Sequence, residues 1–342
     1  MSDAGKYKLT QEVTLQIGDP VVLAAHPELH HYTRYTALES ILGTNTLRAT
    51  HYRQLNDTLE ITMLKAALVE ALIPRFIKIV ADRQDNEKIQ RAVAETGGIE
   101  SAARNAAEGL VGAFYDVSFG RPESFSFAEP YITSFCTHAG RPYEMENGLL
   151  SQWRGYGGDG GFCLVFDTVE LNRMLGLEFD AHYYVHANLL PVVYADGSQP
   201  VDALFPTLLE RFVNYFSTVL DRDEPPVLDD AFSPFVAGVS CYKHQGFREE
   251  CEIRAVLIPG SQEVADRVRA ENPDVSLAPL KQFHTDNRGR SCVTVFSDVD
   301  AKLPVKRIIV GPSRHQADNI ERARALVGSS IPIVASETPF IG

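Results

Sequence analysis

Hydrophobic and polar positions alternate with two periods along this chain, and the period changes mark out its elements. Leu29 to Thr33 alternates at period two and predicts a strand. Thr36 is a fitting N-cap for a short helix, Ala37 to Leu42, which Gly43 would end. Thr46 to Thr50 reads as a second strand. From Asn56 and Asp57 a long helix should start, because Leu59, Met63, Leu64, Ala67, Leu68 and Leu72 recur on one helical face. Pro74 should kink or break it. Residues 86–115 are rich in Ala, Glu and Arg, with Gly97 and Gly98 as a break, and predict two further helices. The stretch 58–118 therefore reads as a helical insertion between strand-forming regions.

Strands return at Tyr131 to Cys136 and Phe162 to Phe166, each bounded by Gly, Pro or Asp. A further one is expected at Val192 to Tyr194. Residues 201–220 carry Leu204, Leu208, Phe212, Phe216 and Leu220 at helical spacing, and a loop at Asp221 to Pro226 should follow. Residues 247–258, 292–296 and 305–310 read as strands, then a helix over 314–327 and a last strand over 332–335. Strands near both ends, helices between them and no regular βαβ alternation predict an α+β fold. We expect one α+β domain over 1–342.

Composition narrows the function. With 342 residues, 44% hydrophobic and 23% charged, the chain can bury a large core and global disorder is excluded. The formal charge of -13 gives no electrostatic footprint for nucleic acid, and there is no dense basic run. A small molecule or a protein is the expected partner. Met1 to Gln11 is polar and no run approaches 18 apolar residues, so neither a signal nor a membrane span is expected. The five cysteines are scattered, with no C-x-x-C pair, which fits a reducing cytoplasmic setting without disulfides or zinc. Cys163 and Cys251 lie in apolar runs and read as small core residues.

Four clusters could carry chemistry. Strand alternation puts His31 and Thr33 on one face and His30 and Tyr32 on the other. A neutral His there suits a ribose hydroxyl, and equally a hydrogen-bonded strand end. Leu55 to Glu60 is a turn and helix start, where Asp57 would cap; Asn56 and Glu60 are weaker binding candidates. Ser151-Gln152-Trp153-Arg154-Gly155-Tyr156-Gly157-Gly158 carries the single tryptophan and leads through Asp159, Gly160 and Gly161 into a strand. It lacks the Gly-Lys-Ser/Thr of a phosphate loop. The glycines serve either as a turn or to admit a ligand, and Arg154 with the aromatics could make an anion and stacking site. In the last cluster, alternation predicts a polar strand face of Arg248, Glu250, Glu252 and Arg254. That face is either a solvated ion-pair ladder or two carboxylates in one cleft with tunable pKa values.

Taken in order, His31-Tyr32-Thr33, Leu55-Asn56-Asp57, Ser151 to Gly157, Phe247-x-x-Glu250-x-Glu252-x-Arg254 and Ile308 to Pro312 resemble a bacterial family called domain of unknown function 2971. The resemblance spans roughly residues 28–312. The early His, middle aromatic and late Glu are also similar to ADP-ribosyltransferases, though those usually carry a Ser-Thr-Ser or Tyr element in the middle. That similarity implies a split sheet, mixed or antiparallel, with NAD as substrate and a protein as a possible acceptor. It implies His31, Tyr32 and Thr33 at the adenosine-side ribose and Trp153 or Tyr156 on the nicotinamide. Glu252 would stabilise the oxocarbenium-like cation, Glu250 would orient the acceptor, and Arg154 or Arg254 would hold the pyrophosphate. A toxin or defence effector is the implied setting. Two other classes stand beside it: a non-catalytic nucleotide- or ligand-binding sensor at Trp153 to Tyr156, and a metal-dependent hydrolase or nuclease using Asp57, Glu60, Glu250 and Glu252.

Overall fold

A computed structural model describes residues 20–55, 59–119, 129–158, 160–196, 199–221 and 229–339. Asn56, Asp57, Asp159 and the loop expected after Asp221 lie outside the described residues or mostly so. Twelve strands are found among the described residues: β1 Glu28–Thr33, β2 Leu47–His51, β3 Tyr131–Cys136, β4 Phe162–Asp167, β5 Tyr184–Pro191, β6 Val193–Ala195, β7 Tyr242–His244, β8 Glu252–Pro259, β9 Phe283–Thr285, β10 Ser291–Val295, β11 Val305–Val310 and β12 Ile333–Ala335. Ten of them form one sheet, antiparallel except for the β11–β12 pair. The architecture is α+β with a mixed sheet.

Strand β3 organises the sheet. Along one edge it pairs with β8 over its whole length, and β8 pairs with β5. The other edge is shared: β2 takes Tyr131 and Ile132, whereas β1 takes Cys136. The sheet therefore forks at β3, one branch running through β1, β4, β11 and β12 and the other through β2, β10 and β9.

Each face buries its own core. Leu29, Phe135, Phe166, Ile253 and Val293 face one layer, covered by Leu38, Leu171, Met174 and Ala323 from three helices. Ile132, Val256 and Ile258 face the other, covered by the helices Leu59–Asp82, Glu87–Thr96, Ile99–Phe119, Pro206–Asp221 and Asp229–Ser240. On this second face, beside β1 and β4, a smaller cluster of Tyr32, Cys136, Trp153, Cys163, Val165 and Ile309 is packed.

Several expectations change. The helix Leu59–Asp82 runs through Pro74 unbroken. Proline there removes one backbone bond, and burial of Leu72, Ile73 and Phe76 on either side holds the helix together. The predicted helix over 201–220 is two, Val201–Leu204 and Pro206–Asp221, divided before Pro206 because the residue preceding proline avoids helical ψ. The helices Thr168–Ala181 and Asp229–Ser240 and the strand β5 were not predicted; burial in both cores supplies what their patterns lack.

Candidate functional site

The fourth cluster is where the structure departs most from the pattern. Only Glu252 onward is strand; Gln245–Glu250 is a 3-10 helix, and Cys251 sits between them at φ 44°. Arg248 and Glu250 therefore do not share a strand face with Glu252 and Arg254. A short-period apolar run cannot distinguish a strand from a tight helical turn feeding one. All of β8 is buried, so a solvated ladder is also excluded. Cys251 is partly exposed and accepts a contact from Arg141 Nη2 at 2.8 Å, which corrects its reading as a core residue.

Glu252 and Glu250 still meet, through a lysine. Lys243 Nζ lies 2.9 Å from Glu250 Oε2 and 3.0 Å from Glu252 Oε2. Arg254 grips Glu252 with two bonds, Nε to Oε1 at 2.8 Å and Nη2 to Oε2 at 3.0 Å. Its Nη1 donates to the Ser240 carbonyl, and Tyr194 Oη accepts the Glu252 backbone N–H. Burial raises the Glu252 pKa, but the Arg254 guanidinium and Lys243 ammonium outweigh it and hold the carboxyl at about 2. Both carboxylate oxygens are engaged, and the four charges cancel within the cluster.

His31 stands on the other side of the sheet. Register places His30 beside Cys136 and Cys136 beside Glu252, so these three share a face. His31 and Thr33 point the opposite way, with Leu29. The His31 ring packs on Phe135 at 5.7 Å, and its Nδ1 is 3.0 Å from the Ser134 carbonyl oxygen. The structure does not bring His31 and Glu252 together.

Trp153 is a core residue. Its indole is 2% exposed, donates from Nε1 to the Asn147 carbonyl at 3.0 Å, and meets Tyr32 edge-on at 4.8 Å. Gly148 and Gly311 crowd the ring: a Cβ on either would stand 2.6 or 2.8 Å from it. The ring is sealed between glycines and cannot stack on a ligand. Tyr32 is likewise committed, its hydroxyl accepting the Leu149 N–H at 2.7 Å and lying 2.8 Å from His138 Nε2. The His138 and His30 rings lie 4.4 Å apart, tilted by 52°, and burial, foremost, lowers their pKa values to about 3 and about 4.

What Trp153 supports is the turn above it. Trp153–Gly157 form a π-helical turn, a local irregularity frequent at functional sites. Arg154 and Tyr156 on this turn are exposed. Beyond it an open groove of about 340 Å³ is lined by Arg34, Tyr35, Gly157, Gly158, Gly160, Asn319 and Arg322. The register Thr33 to Phe162 explains the meeting: the chain leaving β1 comes level with the chain entering β4. Gly160, at φ 84°, has no room for a side chain, since a Cβ would lie 2.4 Å from Ser313 Oγ. Asn319 is buried and donates from Nδ2 to the Gly160 carbonyl at 3.2 Å. Arg34 and Arg322 form no ion pair with a carboxylate among the described residues. In a chain of charge -13, two such guanidiniums beside a glycine turn concentrate positive charge locally.

Sequence reasoning had marked the glycines and stopped one residue short of Arg34 and Tyr35. Arg322 gave no signal, because an exposed arginine in Glu-Arg-Ala-Arg reads as a solvated helix face. Among the described residues no group of three or more His, Cys, Asp or Glu could hold a metal, and no helix is long and apolar enough to cross a membrane.

The model of a family described as a protein of unknown function, DUF2971, matches residues 152–255. The match starts at the tryptophan turn and ends within β8, so it takes in Gly157, Gly158 and Gly160 but not Arg34, Tyr35, Asn319 or Arg322. No curated protein and no solved structure matches the chain.

Proposed function

We propose that this protein is a binding module for a small phosphorylated ligand, seated in the groove between the glycine turn and the helix Gln316–Val327. The observation that supports it is the pairing of Arg34 and Arg322, neither neutralised by a carboxylate among the described residues, across Gly157, Gly158 and Gly160. Guanidinium groups bind phosphate oxygens through two parallel N–H bonds, and glycines let a ligand approach the backbone closely. The groove is at the small end of the range for small-molecule sites, enough for one nucleotide-sized ligand.

Glycosyl transfer from NAD fits this geometry less well. It needs a carboxylate facing the reacting ribose and a histidine beside it, whereas Glu252 is closed by Arg254 and Lys243, with His31 on the opposite face. Thermal denaturation with pyrophosphate, ADP-ribose and NAD tests the binding reading. A ligand at a hundredfold its Kd should add about 2.7 kcal/mol of stability, and Arg34→Glu should abolish the gain. No shift with any of the three would end the proposal. Nicotinamide release from NAD that vanished in Glu252→Gln, with its fold intact, would restore the transferase reading.

A further inference from the structure

The two ends of the groove are built differently. At one end the Arg34 side chain stands beside Gly158, its Nε 3.5 Å from where a Cβ would be, with no side-chain hydrogen-bond partner among the described residues. At the other, the guanidinium carbon of Arg322 lies over the Tyr35 ring, 3.7 Å from its centroid. Tyr35 is in turn backed by Phe162 at 5.8 Å. Asn319, one turn earlier on the same helix, accepts from Arg322 Nη1 at 3.4 Å while its Nδ2 holds the Gly160 carbonyl. Glycine turn, asparagine, arginine and tyrosine thus form one chain of contacts that holds the guanidinium over the ring. Arg322 is exposed and, with Tyr35, lines the groove.

A bare anion needs charge, which a mobile lysine would supply. A guanidinium held over an aromatic ring supplies its own planar surface as well, and nucleobases stack on such surfaces. We infer that the groove takes a nucleoside 5′-phosphate, the base lying on the Arg322 guanidinium and the phosphate meeting Arg34 beside Gly158. The inference rests on the binding reading above and adds the base. Stacking on the flat face is sequence-tolerant, so purine and pyrimidine nucleotides are both admitted, with the larger ring favoured.

Calorimetric titration with AMP, CMP and ribose 5-phosphate separates the two claims. Wild-type protein should bind AMP about tenfold or more tightly than ribose 5-phosphate, one stacked base being worth that much. Arg322→Lys keeps the charge, loses the plane and is exposed, so it should fold; it should erase the advantage of AMP over ribose 5-phosphate. Equal affinity for AMP, CMP and ribose 5-phosphate in the wild type overturns the inference and leaves phosphate binding standing. An AMP preference that survives Arg322→Lys also overturns it. No binding of any of the three overturns both.

Discussion

Replacing Glu252 by glutamine separates a structural carboxylate from a catalytic one. The substitution conserves shape and removes one negative charge from a site 5% exposed. Lys243 and Arg254, each less than a tenth exposed, lose the carboxylate they share, and Glu250 Oε2 contacts Lys243. Breaking a buried pair in this way costs about 3–5 kcal/mol, because an uncompensated charge stays in a poorly solvated site. The carboxyl pKa gives an independent figure. Held at about 2 against an ordinary 4.5, it contributes about 3 kcal/mol at neutral pH. The sign follows from the depression: the contribution is full above pH 4.5 and is lost as pH falls towards 2. Urea denaturation of wild type and Glu252→Gln at pH 7, followed by far-UV circular dichroism, reads the difference directly. The variant should be less stable by about 3–5 kcal/mol, and Lys243→Met in the same chain should recover part of the loss. A variant within about 0.5 kcal/mol of wild type would refute the reasoning, since only a carboxylate facing solvent or a ligand is removed so cheaply.

Two further perturbations follow from packing and burial. Gly311→Ala drives a Cβ to within 2.8 Å of the Trp153 ring and 3.0 Å of the Gly161 carbonyl, with Gly148 blocking retreat. It should cost about 1–3 kcal/mol and shift Trp153 fluorescence, whereas Gly176→Ala, inside a helix with nothing within 4 Å, should be neutral or stabilising. The buried His30 and His138, with pKa values near 4 and 3 against 6.5 when unfolded, should keep unchanged ring proton shifts in NMR spectra between pH 7 and 5. Their depression means that the unfolded chain takes up protons first, so stability falls as pH drops below 6.5. Titration of either ring near pH 6 would contradict its burial.

The sequence revealed the strong periods and concealed the sites where periods end. β1, β3, β4 and β11 were legible because their apolar runs are bounded by turn residues, and the helical layer over 59–119 because its apolar face repeats for many turns. The segment before β8 was not, since Gln245–Glu250 carries the same alternation as the strand it enters until Cys251 takes a left-handed turn. Trp153 drew attention for its rarity and chemistry, yet its function in the fold is to fill the space that Gly148 and Gly311 leave. The groove itself was half legible. Its glycines stand in the motif, whereas Asn319 and Arg322 come from a helix more than 150 residues away, brought alongside by the β4–β11 pairing.

Binding in the groove is the claim on which the functional account turns, and titration calorimetry with pyrophosphate on wild type and Arg34→Glu tests it most directly. The account predicts saturable one-to-one binding by the wild type and none by the variant, at equal melting temperatures without ligand. Absence of saturable binding by the wild type, or equal binding by both proteins, would contradict it.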